Sequence, residues 1–195
     1  LRKVAPDLVM VSISGFGDTG PYSQRPVYDP LIQGLSGLAT VQAGADELRP
    51  QLVRTILPDK LTGVTAAQAI TAALFARERT GERQHVRLSM LDAIIAFLWS
   101  SDMGSQTFVH SEVPQQEAAS LQDLIYETTT GYITIAVQSD REWQALIRAV
   151  DRPEWAEDPR FLTARLRQEN IDARLELIQS VIKTDTAEHW LVLTL

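Results

Sequence analysis

Leu8-Val9-Met10-Val11-Ser12-Ile13-Ser14, running into Gly15-Phe16-Gly17-Asp18-Thr19-Gly20-Pro21-Tyr22, is the stretch from which the architecture can be read. A short apolar run that ends in small polar residues reads as a buried strand of a parallel sheet, here over residues 8–13. The three glycines have the G-x-G-x-x-G spacing of a dinucleotide site, but that motif holds a pyrophosphate only where a helix opens on its last glycine. Pro21 follows Gly20 at once, and nothing with helical period returns before about Asp29, which disfavours a nicotinamide- or flavin-dependent oxidoreductase. The glycines read instead as a turn at the carboxyl end of a strand, where open α/β sheets place ligands.

Further along, Leu57-Pro58-Asp59-Lys60-Leu61-Thr62-Gly63 sets a carboxylate directly before an alanine-rich helix expected over 64–79. Two readings of Asp59 stand side by side. Asp is a preferred N-cap, and the partial positive charge of a helix start also suits a carboxylate nucleophile. Ala66, Ala67, Ala69, Ile70, Ala73, Leu74 and Phe75 spread over much of that helix's circumference, which predicts a buried rather than an amphipathic element. Arg77, Arg79 and Thr80-Gly81 close it with basic side chains and a terminal glycine. A helix over 29–38, a strand over 85–89 and a helix from 91 to about 101 complete the pattern. Alternating strand and helix place residues 1–105 in the α/β class, as part of a Rossmann-like parallel-sheet domain.

Residues 106–120 lose periodicity and read as a linker. Residues 121–195 read as part of a smaller α+β domain: a hairpin of 124–128 and 131–137, then helices over 140–150 and 170–183 with a short piece around Trp155. Ser139-Asp140 marks one helix start, and Thr184-Asp185-Thr186-Ala187-Glu188 marks another with Glu placed for a capping box. Trp143, Trp155 and Trp190 read as core aromatics rather than a ligand cage.

The 195 residues are 45% hydrophobic and 22% charged, enough for a core and too apolar for disorder. A net charge of -7 argues against nucleic acid or an anionic membrane as partner. Without cysteine there are no disulfides, thiolate metal sites or cysteine nucleophiles. His85, His110 and His189 lack metal-ligand spacing, so no metal site is expected. No run approaches a membrane span and no signal peptide opens the chain, which fits a cytoplasmic enzyme.

Several strings occur together in one order: Ser12-Ile13-Ser14-Gly15-Phe16-Gly17, Gly20-Pro21-Tyr22, Arg25-Pro26-Val27-Tyr28-Asp29-Pro30-Leu31-Ile32-Gln33-Gly34-Leu35-Ser36-Gly37, Asp59 before its helix, Arg79-Thr80-Gly81-Glu82-Arg83-Gln84, and Leu88-Ser89-Met90-Leu91-Asp92-Ala93. In that order they resemble the class III CoA-transferases, the CaiB/BaiF family. The likeness is specific from about Asp7 to Leu98, and fainter through 131–137 and Asp158-Pro159-Arg160-Phe161. It implies transfer of CoA from an acyl-CoA to a free carboxylic acid, both small-molecule partners, with Asp59 becoming acylated and then carrying CoA as an aspartyl thioester. It implies no permanently bound cofactor, CoA entering only as part of the substrate. Gly15, Phe16 and Gly17 would lie near the site, as backbone donors suited to an oxyanion, and Val27, Tyr28 and Asp29 would contact the pantetheine arm. Members of the family form interlocked homodimers, so one is expected here. The family's glycine-rich flap has no counterpart between Ser101 and Leu121.

α-Methylacyl-CoA racemases share this family but carry His-Asp where this chain has Tyr28-Asp29. Histidine titrates near neutral pH and tyrosine does not, so Tyr28 argues against proton abstraction of that kind. A CoA-ester-binding subunit without catalysis is the other alternative, and Asp59 counts against it. The chain opens on Leu1 with a strand that has no preceding βαβ unit and ends inside an amphipathic helix, so an internal fragment, inactive alone, is expected.

Overall fold

β1 (Met10–Ser14) and β2 (His85–Ser89) pair in parallel, with Met10 opposite His85 and Ser14 opposite Ser89. Parallel neighbours require a crossover, and the chain supplies it with α1 (Asp29–Leu35), α2 (Leu38–Ala43) and α3 (Leu57–Thr80). α4 (Met90–Leu98) leaves β2 directly, its first turn held by Ser89 Oγ accepting the Asp92 N–H. The computed structural model describes residues 4–5, 7–44, 48–103 and 124–194. The chain divides into two compact units, Leu1–Ser120 and Leu121–Leu195. The fold class is α/β, as expected from the alternation. The linker expected over 106–120 lies outside the described residues.

The core of the first unit is Ile32, Leu38, Ile94 and Leu98, with Phe16, Val27, Val53, Leu57, Leu61, Met90 and Leu91 packed on it. The helix expected over 29–38 ends at Leu35 and a second one starts at Leu38: Gly37, at φ 85°, adopts a left-handed conformation that turns the chain from α1 into α2. α3 corrects the sequence reading twice. It begins at Leu57 rather than Val64, so Gly63 lies inside it and Asp59 is a helical residue. Pro58 and Gly63 look like breakers, yet proline fits the first turn, where its missing N–H costs nothing. The helix is also not buried all round: Pro58, Thr62, Ala66 and Ala73 are buried, whereas Val64 is 68% and Phe75 64% exposed. Among the described residues only two strands lie in its sheet, too few to cover both faces. Gly81, left-handed at φ 70°, ends α3 by donating its N–H to Arg77 O.

The second unit has its own core. β3 (Ile125–Thr128) and β4 (Gly131–Thr134) form the expected antiparallel hairpin. α5 (Asp140–Ala149), a 3₁₀ turn (Pro153–Ala156), α6 (Ala164–Glu169), α7 (Ile171–Ile182) and α8 (Ala187–Thr194) follow. Of these, α6 was not legible beforehand. Trp143, Trp155 and Trp190 are buried together with Phe161 and Ile178. Trp143 stacks on Trp155 at 6.0 Å between centroids and meets Phe161 edge-on at 5.7 Å. Arg167, 2% exposed, donates to Phe161 O at 3.0 Å, pairs with Asp140 and lies over the Trp143 ring. α5 opens with a full capping box: Ser139 Oγ accepts the Glu142 N–H, and Glu142 accepts the N–H of Ser139.

Candidate active site

The residues expected at a site fall after the carboxyl end of β1, at the start of α1 and in the first turn of α3. α3 leads into the amino end of β2, and its 24 residues run about 36 Å, about twice the length of a five-residue strand. Its first turn therefore extends past the carboxyl ends of both strands, the side on which open α/β sheets place ligands.

The first turn of α3 can be accounted for donor by donor. Leu57 N–H donates to Thr55 O at 2.9 Å, Pro58 has no N–H, and Lys60 N–H donates to Ile56 O at 3.1 Å. The Asp59 N–H goes to Oδ2 of Asp29, 3.1 Å away and 30 residues upstream. Asp59 is thus not the N-cap: it stands in the first turn, and another carboxylate satisfies the helix start. Among the described residues no hydrogen bond or ion pair reaches the Asp59 carboxylate, and the residue is exposed. Its neighbours Leu57 and Leu61 anchor the turn by packing on the core of the unit. Thr62 Oγ1, bonded to Pro58 O at 2.7 Å, tightens it further.

Of the residues expected beside a CoA ester, Asp29 has a different setting. It is 4% exposed and accepts from both Gln33 Nε2, at 2.7 Å, and the Asp59 N–H, so its carboxylate works inside the protein. Tyr28, by contrast, is 77% exposed, and its carbonyl begins α1 by accepting the Leu31 N–H. Val27 packs on the same apolar cluster as Phe16.

Gly15 and Val27 meet closely. A Cβ built on Gly15 would lie 2.0 Å from Val27 Cγ1, so only glycine lets the turn pass that side chain. Gly15 O also accepts the Leu91 N–H at 3.1 Å, which ties the turn to the start of α4. Gly17, at φ 86°, donates its N–H to Ser14 Oγ at 3.0 Å and so already has an acceptor for that proton. Phe16 meets Tyr22 edge-on at 5.4 Å, and Arg25 lies 4.3 Å from the Tyr22 ring centroid. No helix opens on Gly20: turns follow it, and α1 starts only at Asp29. The geometry thus lacks the helix N-terminus that a dinucleotide fingerprint needs.

A cavity of about 480 Å³ lies elsewhere, between the residues that precede β1 (Ala5, Asp7, Leu8, Val9) and Ile70, Leu74 and Arg77 of α3. Ile70 is about 16 Å along the helix from Asp59, so this cavity is separate from the first turn of α3. His85 Nε2 lies 2.7 Å from Ser12 Oγ, and among the described residues no three His, Asp or Glu side chains are grouped so as to hold a metal ion. No helix among the described residues is long and apolar enough to cross a membrane.

The network that caps α3 was missed in the sequence. Asp29 and Gln33 fall one helical turn apart inside a quoted motif, but nothing local shows that their partners are Val53, Thr55 and Asp59.

The sequence profile described as CoA-transferase family III matches residues 1–194. The acetyl-CoA:oxalate CoA-transferase of Acetobacter aceti is 32% identical over 98% of this chain and 50% of its own length. The succinate–glutarate CoA-transferase of Agrobacterium fabrum is 31% identical over 95% of the chain and 46% of its own. A crystal structure of Rv3272 from Mycobacterium tuberculosis superposes with a TM-score of 0.81 at 28% identity, covering 100% of this chain and 51% of that one. The chain spans about half the length of the curated relatives it matches. From its first strand to its last helix, this chain belongs to CoA-transferase family III.

Proposed function

We propose that the full-length protein transfers CoA from an acyl-CoA donor to a carboxylic acid acceptor, with Asp59 as the nucleophile. The Asp59 carboxylate attacks the thioester carbonyl and expels CoA as thiolate, leaving a mixed anhydride on the aspartate. The thiolate then attacks the aspartyl carbonyl, releasing the donor's carboxylate and leaving CoA on Asp59 as a thioester. The acceptor carboxylate attacks that thioester to give a second anhydride, and the returning thiolate takes the acceptor's acyl group and frees Asp59. Electron pairs and protons balance without an added oxidant, reductant or metal.

The observation that carries this is the division of labour at α3: Asp29 satisfies the backbone of the first turn, and the Asp59 side chain is left exposed and uncommitted among the described residues. The names of the relatives point the same way, toward acyl-CoA donors and small carboxylic acids as acceptors. An interlocked homodimer is our expectation for the full-length protein, to be checked by its mass in solution.

The test is replacement of Asp59 with Ala in the full-length protein, assayed against a panel of CoA donors and acids by mass detection. Transfer should fall by on the order of a thousandfold or more, and hydroxylamine should trap a hydroxamate on the Asp59 peptide of the unsubstituted enzyme. An Ala variant with ordinary turnover rules the proposal out.

A further inference from the structure

Gln33 is 2% exposed, and its side-chain amide bonds Asp29 and the stretch of chain, Val53 to Thr55, that enters the first turn of α3. Nε2 donates to Asp29 Oδ1 at 2.7 Å and to Thr55 O at 3.1 Å, and Oε1 accepts the Val53 N–H at 2.8 Å. The amide's orientation follows from its partners, since the acceptors Asp29 Oδ1, Thr55 O and, at 3.5 Å, Val53 O face one end and a donor faces the other. Turning it over would set oxygen against Asp29 and Thr55 O, and nitrogen against the Val53 N–H.

Two backbone donors of that turn depend on acceptors that Gln33 holds. Thr55 O accepts from Gln33 and also from the Leu57 N–H, while Asp29 accepts from Gln33 on one oxygen and from the Asp59 N–H on the other. A carboxylate free to rotate about its χ angles would reach Asp59 in only some rotamers; bonded through Oδ1, it presents Oδ2 to the Asp59 N–H. Glutamate at position 33 would press a second negative charge against Asp29, lysine could not accept the Val53 N–H, and asparagine is one methylene short.

We propose that Gln33 is a positioning residue for Asp59, acting through Asp29 and Thr55 to fix the attack geometry of the nucleophile. This rests on the transferase reading of Asp59. An error of about 1 Å at a reacting atom can cost on the order of a hundredfold in rate, so the loss belongs in the chemical step rather than in substrate binding.

The experiment compares Gln33→Met, Gln33→Glu and the exchange variant Asp29→Asn/Gln33→Glu with the unsubstituted full-length protein. In the exchange variant the amide sits at position 29, donating to the carboxylate now at position 33 and still offering an oxygen to the Asp59 N–H. Single-turnover formation of the Asp59 adduct is timed on folded protein, and kcat and KM for the acyl-CoA are measured separately. Adduct formation should slow by about tenfold to a hundredfold in Gln33→Met and Gln33→Glu with KM unmoved, and the exchange variant should recover part of that loss. A purely structural role would lower the folded fraction and leave the rate per folded site unchanged, which overturns the proposal. So does an exchange variant no faster than Gln33→Glu, the comparison that decides if Gln33→Met does not fold. If the unsubstituted enzyme forms no adduct on Asp59, the transferase reading falls and this proposal with it; an adduct formed at one rate in every variant overturns this proposal alone.

Discussion

The carboxylate of Asp29 caps a helix to which it does not belong, accepting the N–H of Asp59 at 3.1 Å. Two carboxylates therefore meet at one helix start with different duties: the buried one bonds backbone, and the exposed one faces outward. The partial positive charge of the helix terminus is what makes such a pairing tolerable.

Replacing Asp29 with Ala removes the acceptor of the Asp59 N–H and one acceptor of the buried Gln33 amide, so the first unit should lose about 1–3 kcal/mol of stability. Asp29→Asn, which keeps an acceptor for Asp59, should cost less. Urea unfolding of both variants checks the order, and equal losses would contradict it.

Gly15→Ala should disturb the turn at the end of β1, because the new methyl group would occupy space taken by Val27 Cγ1. Overpacking of this kind costs about 1–3 kcal/mol. Val27→Ala in the same chain should relieve part of it, which a double-mutant cycle by thermal unfolding would reveal.

Tyr28 is exposed and makes its structural contribution through its backbone. Tyr28→Phe should leave the melting temperature unchanged. If the hydroxyl contacts a bound CoA ester, the variant's KM for acyl-CoA will differ from the wild type; a lowered melting temperature with KM unmoved would assign the hydroxyl a folding role instead.

In the second unit, hydrogen bonds from the N–H groups of Ser139 and Gln138 hold the Glu142 carboxyl below its ordinary value of 4.5. A depressed folded value means the capping box stabilises fully above the unfolded value and is lost as pH falls through the folded one. Glu142→Gln should therefore destabilise the protein at neutral pH, and the gap to wild type should close as pH drops below about 4.5. Asp158 and Glu188 are shifted the same way by their own hydrogen bonds, but they are present in both proteins and cancel in the difference. Melting curves from neutral to acid pH provide the measurement, and a constant gap would contradict the assignment.

Elements whose signals are local were legible in the sequence. β2 follows from its alternation and Ser139 from its place before an amphipathic run, and both stand where expected. The start of α3 was not, because Pro58 and Gly63 carry breaker signals, yet Pro58 fits the first turn and Gly63 is carried inside the helix. Sequence pattern singled out Asp59 but offered capping as its ordinary duty; only the fold shows that Asp29 performs it, since a cap supplied from 30 residues away leaves no trace at i to i+3. The close passage of Gly15 past Val27 was hidden for the same reason.

The pairing of β1 with β2 joins residues 75 positions apart along the chain, Met10 with His85 and Ser14 with Ser89, whereas β3 and β4 are joined by a tight turn. Closing the long loop costs more chain entropy before any contact rewards it, and rates of assembly fall as sequence separation grows. The β3–β4 hairpin is thus the quicker of the two pairings to close, and the parallel β1–β2 pair, with the whole of α3 inside its crossover, the slower.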